Sequence, residues 1–303
     1  MTLASSTLAS ATMTTATTRN NTPRPSLKEL QRIASQGRLD ALEMIFDAQS
    51  GHPGTSLSCM DILTALWFGH MRHDVNNLDW ADRDRCVLSK GHGAPALYAV
   101  LLAAGYIPAE HKLTLRKIHS KLQGHPASRY VAGVDVSTGS LGQGLSCAVG
   151  MALGHRLNNS NARVYAILGD GECQEGNIWE AAMSAAHHKT SRLTAIIDRN
   201  NLQIDGNTED VKALGDVGAK FEAFGWHVLH ANGNNFESLL AALDETEALA
   251  ASQSKPTAII AATTKGKGVS FMENQAGWHG KAPNADQYAQ AKQELEVLLA
   301  TFA

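Results

Sequence analysis

Cysteine is scarce in this chain of 303 residues, and no two form a C-x-x-C pair. The four present, Cys59, Cys86, Cys147 and Cys173, stand far apart. That spacing excludes a thiolate metal site and reads as four free, buried thiols in a reduced, cytoplasmic setting. Long apolar runs are missing, so no segment reads as a membrane span. An excess of positive charge is missing as well: 26 Lys and Arg face 29 Asp and Glu, with no basic tract. This argues against a nucleic-acid surface. No G-x-G-x-x-G follows the first predicted strand, which removes a nicotinamide site. No H-E-x-x-H or similar spacing supports zinc, and no internal repeat is evident.

Acids are absent from the first 26 residues, where 12 are Ser or Thr. A Ser-rich, acid-poor leader has some character of a transit peptide. With two arginines and little amphipathic pattern, 1–26 reads instead as a disordered extension. The folded part is expected over 27–303, as one domain ending in a helix. S-L-K-E at 26–29 predicts a capping box, Ser26 as N-cap and Glu29 reaching back.

What is there is 44% hydrophobic, ample for a buried core. Leu27, Leu30, Ile33, Leu39, Leu42 and Phe46 predict a long amphipathic helix ending near Gly51. Helices are also predicted over 58–68, 94–104, 176–189, 211–224 and 235–252, and in the small-residue stretch after Gly139. Strands are predicted over 163–168, 193–198, 227–232 and 256–264. Their apolar cores are continuous rather than alternating, as in parallel strands covered on both faces. The alternating order predicts an α/β fold, a doubly wound parallel sheet with helices on both faces. Ligands in such sheets sit at the carboxyl ends of the strands.

The predicted strand RVYAIL runs into Gly169-Asp170-Gly171. Glycines there let the backbone approach a ligand. Asp170 would point into the crevice with no basic residue in the stretch to balance it, which is costly when buried. A hard divalent cation, Mg²⁺ or Ca²⁺, would balance it. An acidic turn capping the next helix, through Asp170 or Glu172, explains GDG equally well. The next strand adds Asn200 and Asn201 at the same rim. Asp170, Asn200 Oδ1 and the Leu202 carbonyl make an oxygen set for a metal that leaves room for phosphate. Three histidines lie in Gly/Pro-rich turns: His52 in SGHPG, His92 in SKGHG and His125 in QGHP. Imidazoles there can hydrogen-bond sugar hydroxyls and move protons. His187 and His188 read as helix-surface or C-cap residues.

GDG followed by an NN pair at the next strand end resembles the thiamine diphosphate enzymes. The ordered set SGHPG, RDRCVLSKGHG, GHP, TGSLGQG, GDGECQEG and NNLQIDG resembles the N-terminal, diphosphate-binding half of the transketolase family, over about residues 27–285. The resemblance implies metal ligands Asp170, Asn200 and Leu202, and a diphosphate contact from the Gly171 backbone. It implies cofactor contacts from His92 and from Gly139, Ser140 and Leu141, where Ser140 replaces the usual proline. His52 and His125 would line the donor-sugar channel and act in catalysis. His279, in GWHGKAP, would touch both cofactor and substrate and act in catalysis with them. Arg116 would bind the sugar phosphate by its bidentate geometry, or else be a surface arginine. Glu175 and Glu180 would lie near a subunit contact, or else simply solvate a helix.

Transketolases run to about twice this length, and the other half carries a pyrimidine-binding domain with its own catalytic glutamate. Residues after 285 offer one amphipathic helix and no such domain. The expectation is a two-polypeptide transketolase, α2β2, whose partner supplies that half, transferring a two-carbon unit from a phosphorylated ketose to an aldose in pentose phosphate metabolism. The alternatives are an inactive fragment, a deoxyxylulose-phosphate synthase-like enzyme, a 2-oxo-acid dehydrogenase α subunit, or a non-catalytic partner that kept the fold. The histidine motifs favour sugar chemistry over the other thiamine enzymes.

Overall fold

A computed structural model of the chain describes residues 23–302. Of the extension expected over 1–26, all but the last four residues lie outside the described residues. Within those four, Arg24 pairs with Asp244 at 2.6 Å and donates to the Gly69 carbonyl.

Three helices lead: α1 (Leu27–Ala48), α2 (Pro53–Ser58) and α3 (Met60–Gly69). Then come β1 (Arg85–Leu88), α4 (Ala94–Ala103), α5 (Gln143–Leu157), β2 (Val164–Gly169), α6 (Gly176–His187) and β3 (Leu193–Arg199). The chain continues through α7 (Thr208–Lys212), α8 (Val217–Ala223), β4 (His227–Asn232), α9 (Phe236–Ser252), β5 (Thr257–Ala262) and α10 (Ala285–Ala300). The strands form one parallel sheet in the order β1-β2-β3-β5-β4.

Alternation along β2 explains the continuous apolar run. Tyr165 and Ile167 join the cluster built with α1, α3, α4 and α9. Val164, Ala166 and Leu168 join the cluster built with α5, α6 and α8. Both faces are covered, so every position is apolar. Burying each large side chain contributes about 1.5–3 kcal/mol. A third cluster, Leu42, Leu57, Val269, Met272, Ala291 and Leu295, clamps α10 against α1. α1 stops where Gln49 turns left-handed (φ 47°) and its N–H returns to the Ile45 and Phe46 carbonyls.

The structure departs from the expectations at five places. β1 went unpredicted because RCVL is only four residues inside a motif. The helix expected at 58–68 is preceded by the short α2, and α3 starts only after Cys59. The helix expected at 211–224 is two: Gly215 (φ 57°) breaks it, and Asp216 caps α8 by accepting the Ala219 N–H. Half the box at Ser26 forms. Its Oγ accepts the Glu29 N–H, but the Glu29 carboxylate turns to Arg32. A complete box closes instead at Asn284 and Gln287 of α10. All four cysteines are free, yet Cys147 is exposed on α5. His188 caps α6, as expected.

Candidate functional site

In a parallel sheet all carboxyl ends face one way. The register pairs Gly169 with Asp198, so the residues following β2 and β3 share a rim. Asp170 is 2% exposed. Its Oδ1 accepts the Gly171 N–H at 2.8 Å, and its Oδ2 accepts the N–H groups of Asn200 at 3.0 Å and Asn201 at 2.5 Å. The left-handed Asn201 (φ 63°) turns its amide toward that carboxylate. Burial, followed by the charge of Asp198, still pushes the Asp170 pKa upward. The capping reading of GDG is borne out in part, since Asp170 caps the short turn at Gly171–Gln174.

The expected lack of basic neighbours is corrected. Arg199 lies 3.5 Å from Asp170, and Lys90 and Lys265 line the same cavity. Sequence reasoning missed all three because their proximity is made by the fold. Lys90 is fully buried and donates to Asp198 and to Thr55 Oγ1. Asp198 also accepts from Ser58 at 2.5 Å and from Thr263. Burial alone would raise the Asp198 pKa, but the Lys90 charge and these donors hold it below the ordinary value. Asp198 was missed as well, and so was Glu172. It accepts from Ser89 Oγ at 2.5 Å, Gly142 N at 2.9 Å and Gly169 N at 3.0 Å. One carboxylate thus ties the end of β1, the glycine turn before α5 and the end of β2. A charged residue ending an apolar run, as in LTAIID, was the available signal.

The cavity over this floor holds about 370 Å³. It is lined by His52, His92, His125, Gly139, Leu141, Asp170, Gly171, Asn200, Leu202 and His279, together with Glu175. Ser140 lies exposed between two lining residues, and Glu180 is exposed on α6. Arg116 is exposed too, in a left-handed conformation (φ 59°), with its guanidinium against Gly124. Its charge is felt by His52 and His125, which places it beside the imidazoles.

The imidazoles form one group. Ring centres lie 5.2 Å apart for His52 and His92, 5.6 Å for His52 and His279, and 5.0 Å for His92 and His279. His125 is 6.5 Å from His52. Burial, then the Arg116 charge, lowers the His52 pKa to about 4. Burial, then Lys265, lowers that of His279 to about 3. His92 and His125 are lowered by burial first, helped by Lys90 and Arg116 respectively. All four are neutral at pH 7, so each offers one donor and one acceptor. Gly91 and Gly139 keep the wall close to the floor. A Cβ on Gly91 would lie 2.8 Å from the Gly139 nitrogen, and Gly139 (φ 142°) packs under His125.

Residues 29–302 match the family model described as transketolase, thiamine diphosphate binding domain. The chain belongs to the transketolase family. It is 43% identical over 267 residues to one of the apulose-4-phosphate transketolase subunits of Phocaeicola vulgatus, covering 88% of this chain and 93% of the relative. It is 42% identical to a 6-deoxy-6-sulfo-D-fructose transketolase subunit of a Clostridium species, covering 88% and 96%. Mouse transketolase is 40% identical over 89% of this chain, which spans 42% of that protein. The solved transketolase of Campylobacter jejuni superposes with a TM-score of 0.83 at 32% identity, over 92% of this chain and 46% of that one. Among the described residues no three His, Cys, Asp or Glu side chains gather to hold a metal. The set expected from the sequence is of another kind, one carboxylate with an amide and a backbone carbonyl. Asp170, Asn200 and Leu202 line the same cavity, where Asn200 Oδ1 accepts the Leu202 N–H at 3.2 Å. A buried carboxylate with a raised pKa fits a cation there.

Proposed function

We propose that this chain is the diphosphate-binding subunit of a two-subunit transketolase, moving a two-carbon ketol unit from a phosphorylated ketose to an aldose. The observation that carries the reading is the meeting of buried Asp170 and Asn200 and half-buried Leu202 with four neutral imidazoles over one cavity. The subunit names of the relatives matched along almost their whole length support a partner chain. That partner would supply the pyrimidine-binding domain in an α2β2 assembly, with Glu175 and Glu180 at the contact. Residues 27–303 would form one thiamine diphosphate-binding domain. Four free cysteines favour a reducing, cytoplasmic setting.

Asp170, Asn200 and the Leu202 carbonyl would hold Mg²⁺ or Ca²⁺, oxygen ligands suiting either ion. Gly171 would meet the diphosphate through its backbone, beside His92. Gly139, Ser140 and Leu141 would flank the rings. Thiamine diphosphate supplies, when bound, the carbanion-stabilising chemistry that a two-carbon transfer needs. This chain's residues bind, orient and handle protons. His52 and His125 would accept and return hydroxyl protons of the donor sugar, since neutral imidazole is the form that accepts. Arg116 would pair with the sugar phosphate. A wall of neutral imidazoles is suited to hydroxylated carbon chains.

The test is a ketol-transfer assay on the purified chain, alone and mixed with a candidate partner. Turnover is expected only in the mixture. Full turnover by the chain alone would exclude the two-subunit reading, and none in any mixture would exclude the transketolase reading.

A further inference from the structure

Lys265 follows β5 by three residues and is 2% exposed. Its Nζ lies 3.0 Å from His279 Nδ1 and 3.4 Å from the Leu202 carbonyl oxygen. Burial lowers the Lys265 pKa to about 8, which leaves it chiefly an ammonium at pH 7. An ammonium has three donors and no lone pair, and a carbonyl only accepts. Both short contacts therefore run outward from Lys265. A nitrogen that accepts from an ammonium carries no proton. On a neutral imidazole the proton must then sit on the other nitrogen, Nε2.

Local packing holds the two residues in place. Gly54 at the start of α2 sits between them: a Cβ there would lie 3.2 Å from the Lys265 side chain and 2.9 Å from the Trp278 carbonyl, one residue before His279. The Gly266 N–H is also bonded to the Gly54 carbonyl at 2.9 Å. The glycine of SGHPG thus leaves room for both segments.

We propose that Lys265 is a positioning residue that fixes His279 as the Nε2–H tautomer, so that His279 faces the cavity as a hydrogen-bond donor and not as a base. This divides the labour among the imidazoles. Proton acceptance falls to His52 and His125, and His279 donates to an oxygen of the bound ligand. The identity of that oxygen rests on the transketolase reading; the tautomer does not. The low His279 pKa agrees, since the ring stays neutral beside the lysine.

The experiment uses the full chain alone at pH 7, labelled with ¹⁵N in its 13 histidines. Long-range proton–nitrogen correlation spectra distinguish pyrrole-type from pyridine-type ring nitrogens, and His279→Gln identifies the relevant signals. The expected result is a pyridine-type Nδ1 and a pyrrole-type Nε2 for His279. In Lys265→Met, which nearly preserves side-chain volume, Nδ1 is expected to gain a protonated population. In Lys265→Arg the wild-type pattern is expected to return. A protonated Nδ1 in the wild-type chain overturns the proposal without any variant. So does an unchanged His279 pattern in a folded Lys265→Met chain. Neither cofactor nor partner is needed, so failure of the transfer assay and failure of this proposal are separate results.

Discussion

The floor and the wall of the cavity solve opposite problems. The floor, at the ends of β2 and β3, is built from buried ionisable groups: Asp170, Glu172, Asp198 and Lys90, each 3% exposed or less. Every one is held by several hydrogen bonds, many from backbone N–H groups. The wall is built from imidazoles on loops, which burial and neighbouring cations keep neutral. Ionisable groups held in place by hydrogen bonds would suit a cation and a diphosphate, whose charges do not change during a transfer. Neutral rings suit hydroxyl groups whose protons must move. On the proposed function, one cavity would separate binding by charge from chemistry by proton movement.

The sharpest way to break this contrast is at Lys90. Removing one partner of a buried ion pair leaves the other charge uncompensated, at a cost of about 3–5 kcal/mol. Lys90→Met is expected to destabilise the chain by that amount in urea unfolding, because Asp198 keeps only Ser58 and Thr263. A loss below about 1 kcal/mol would show that the floor is not held by charge pairing. Asp170→Ala comes next. Even outer-sphere partners of a metal are worth about 10–100-fold in affinity, so losing a carboxylate ligand is expected to weaken Mg²⁺-dependent thiamine diphosphate binding by at least about 100-fold. Calorimetry with and without Mg²⁺ measures this, and unchanged affinity refutes the metal assignment.

The wall was legible in the sequence and the floor only half so, for a physical reason. A histidine set against glycine or proline announces itself, because the turn is encoded in neighbouring residues. His52, His92 and His125 were found in that way, and Asp170 and Asn200 by standing at successive strand ends. Lys90 and Asp198 are 108 residues apart, so no local pattern could pair them. Glu172 looked like one more acid in a turn, since its three partners come from three different segments. The sheet was readable because strands covered on both faces are apolar throughout. β1 was too short to read, and the break at Gly215 was hidden inside a stretch that otherwise favours helix.

The smallest effect tests the wall by pH. His279 has a folded pKa of about 3 against an ordinary value near 6.5. A base depressed in this way binds fewer protons when folded than when unfolded. Its contribution to stability is therefore complete above pH 6.5 and declines as pH falls from there toward 3. At pH 5 the full linkage would be about 2 kcal/mol, and solvent screening of a partly exposed ring reduces it to about 1 kcal/mol. His279→Gln cannot titrate, so the wild-type chain is expected to lose about 1 kcal/mol more than the variant between pH 7.5 and pH 5, read from urea midpoints at the two pH values. Equal losses would mean that His279 accepts a proton readily in the folded chain. The wall would then carry charge like the floor, and the division between them would fail where it matters most for proton transfer.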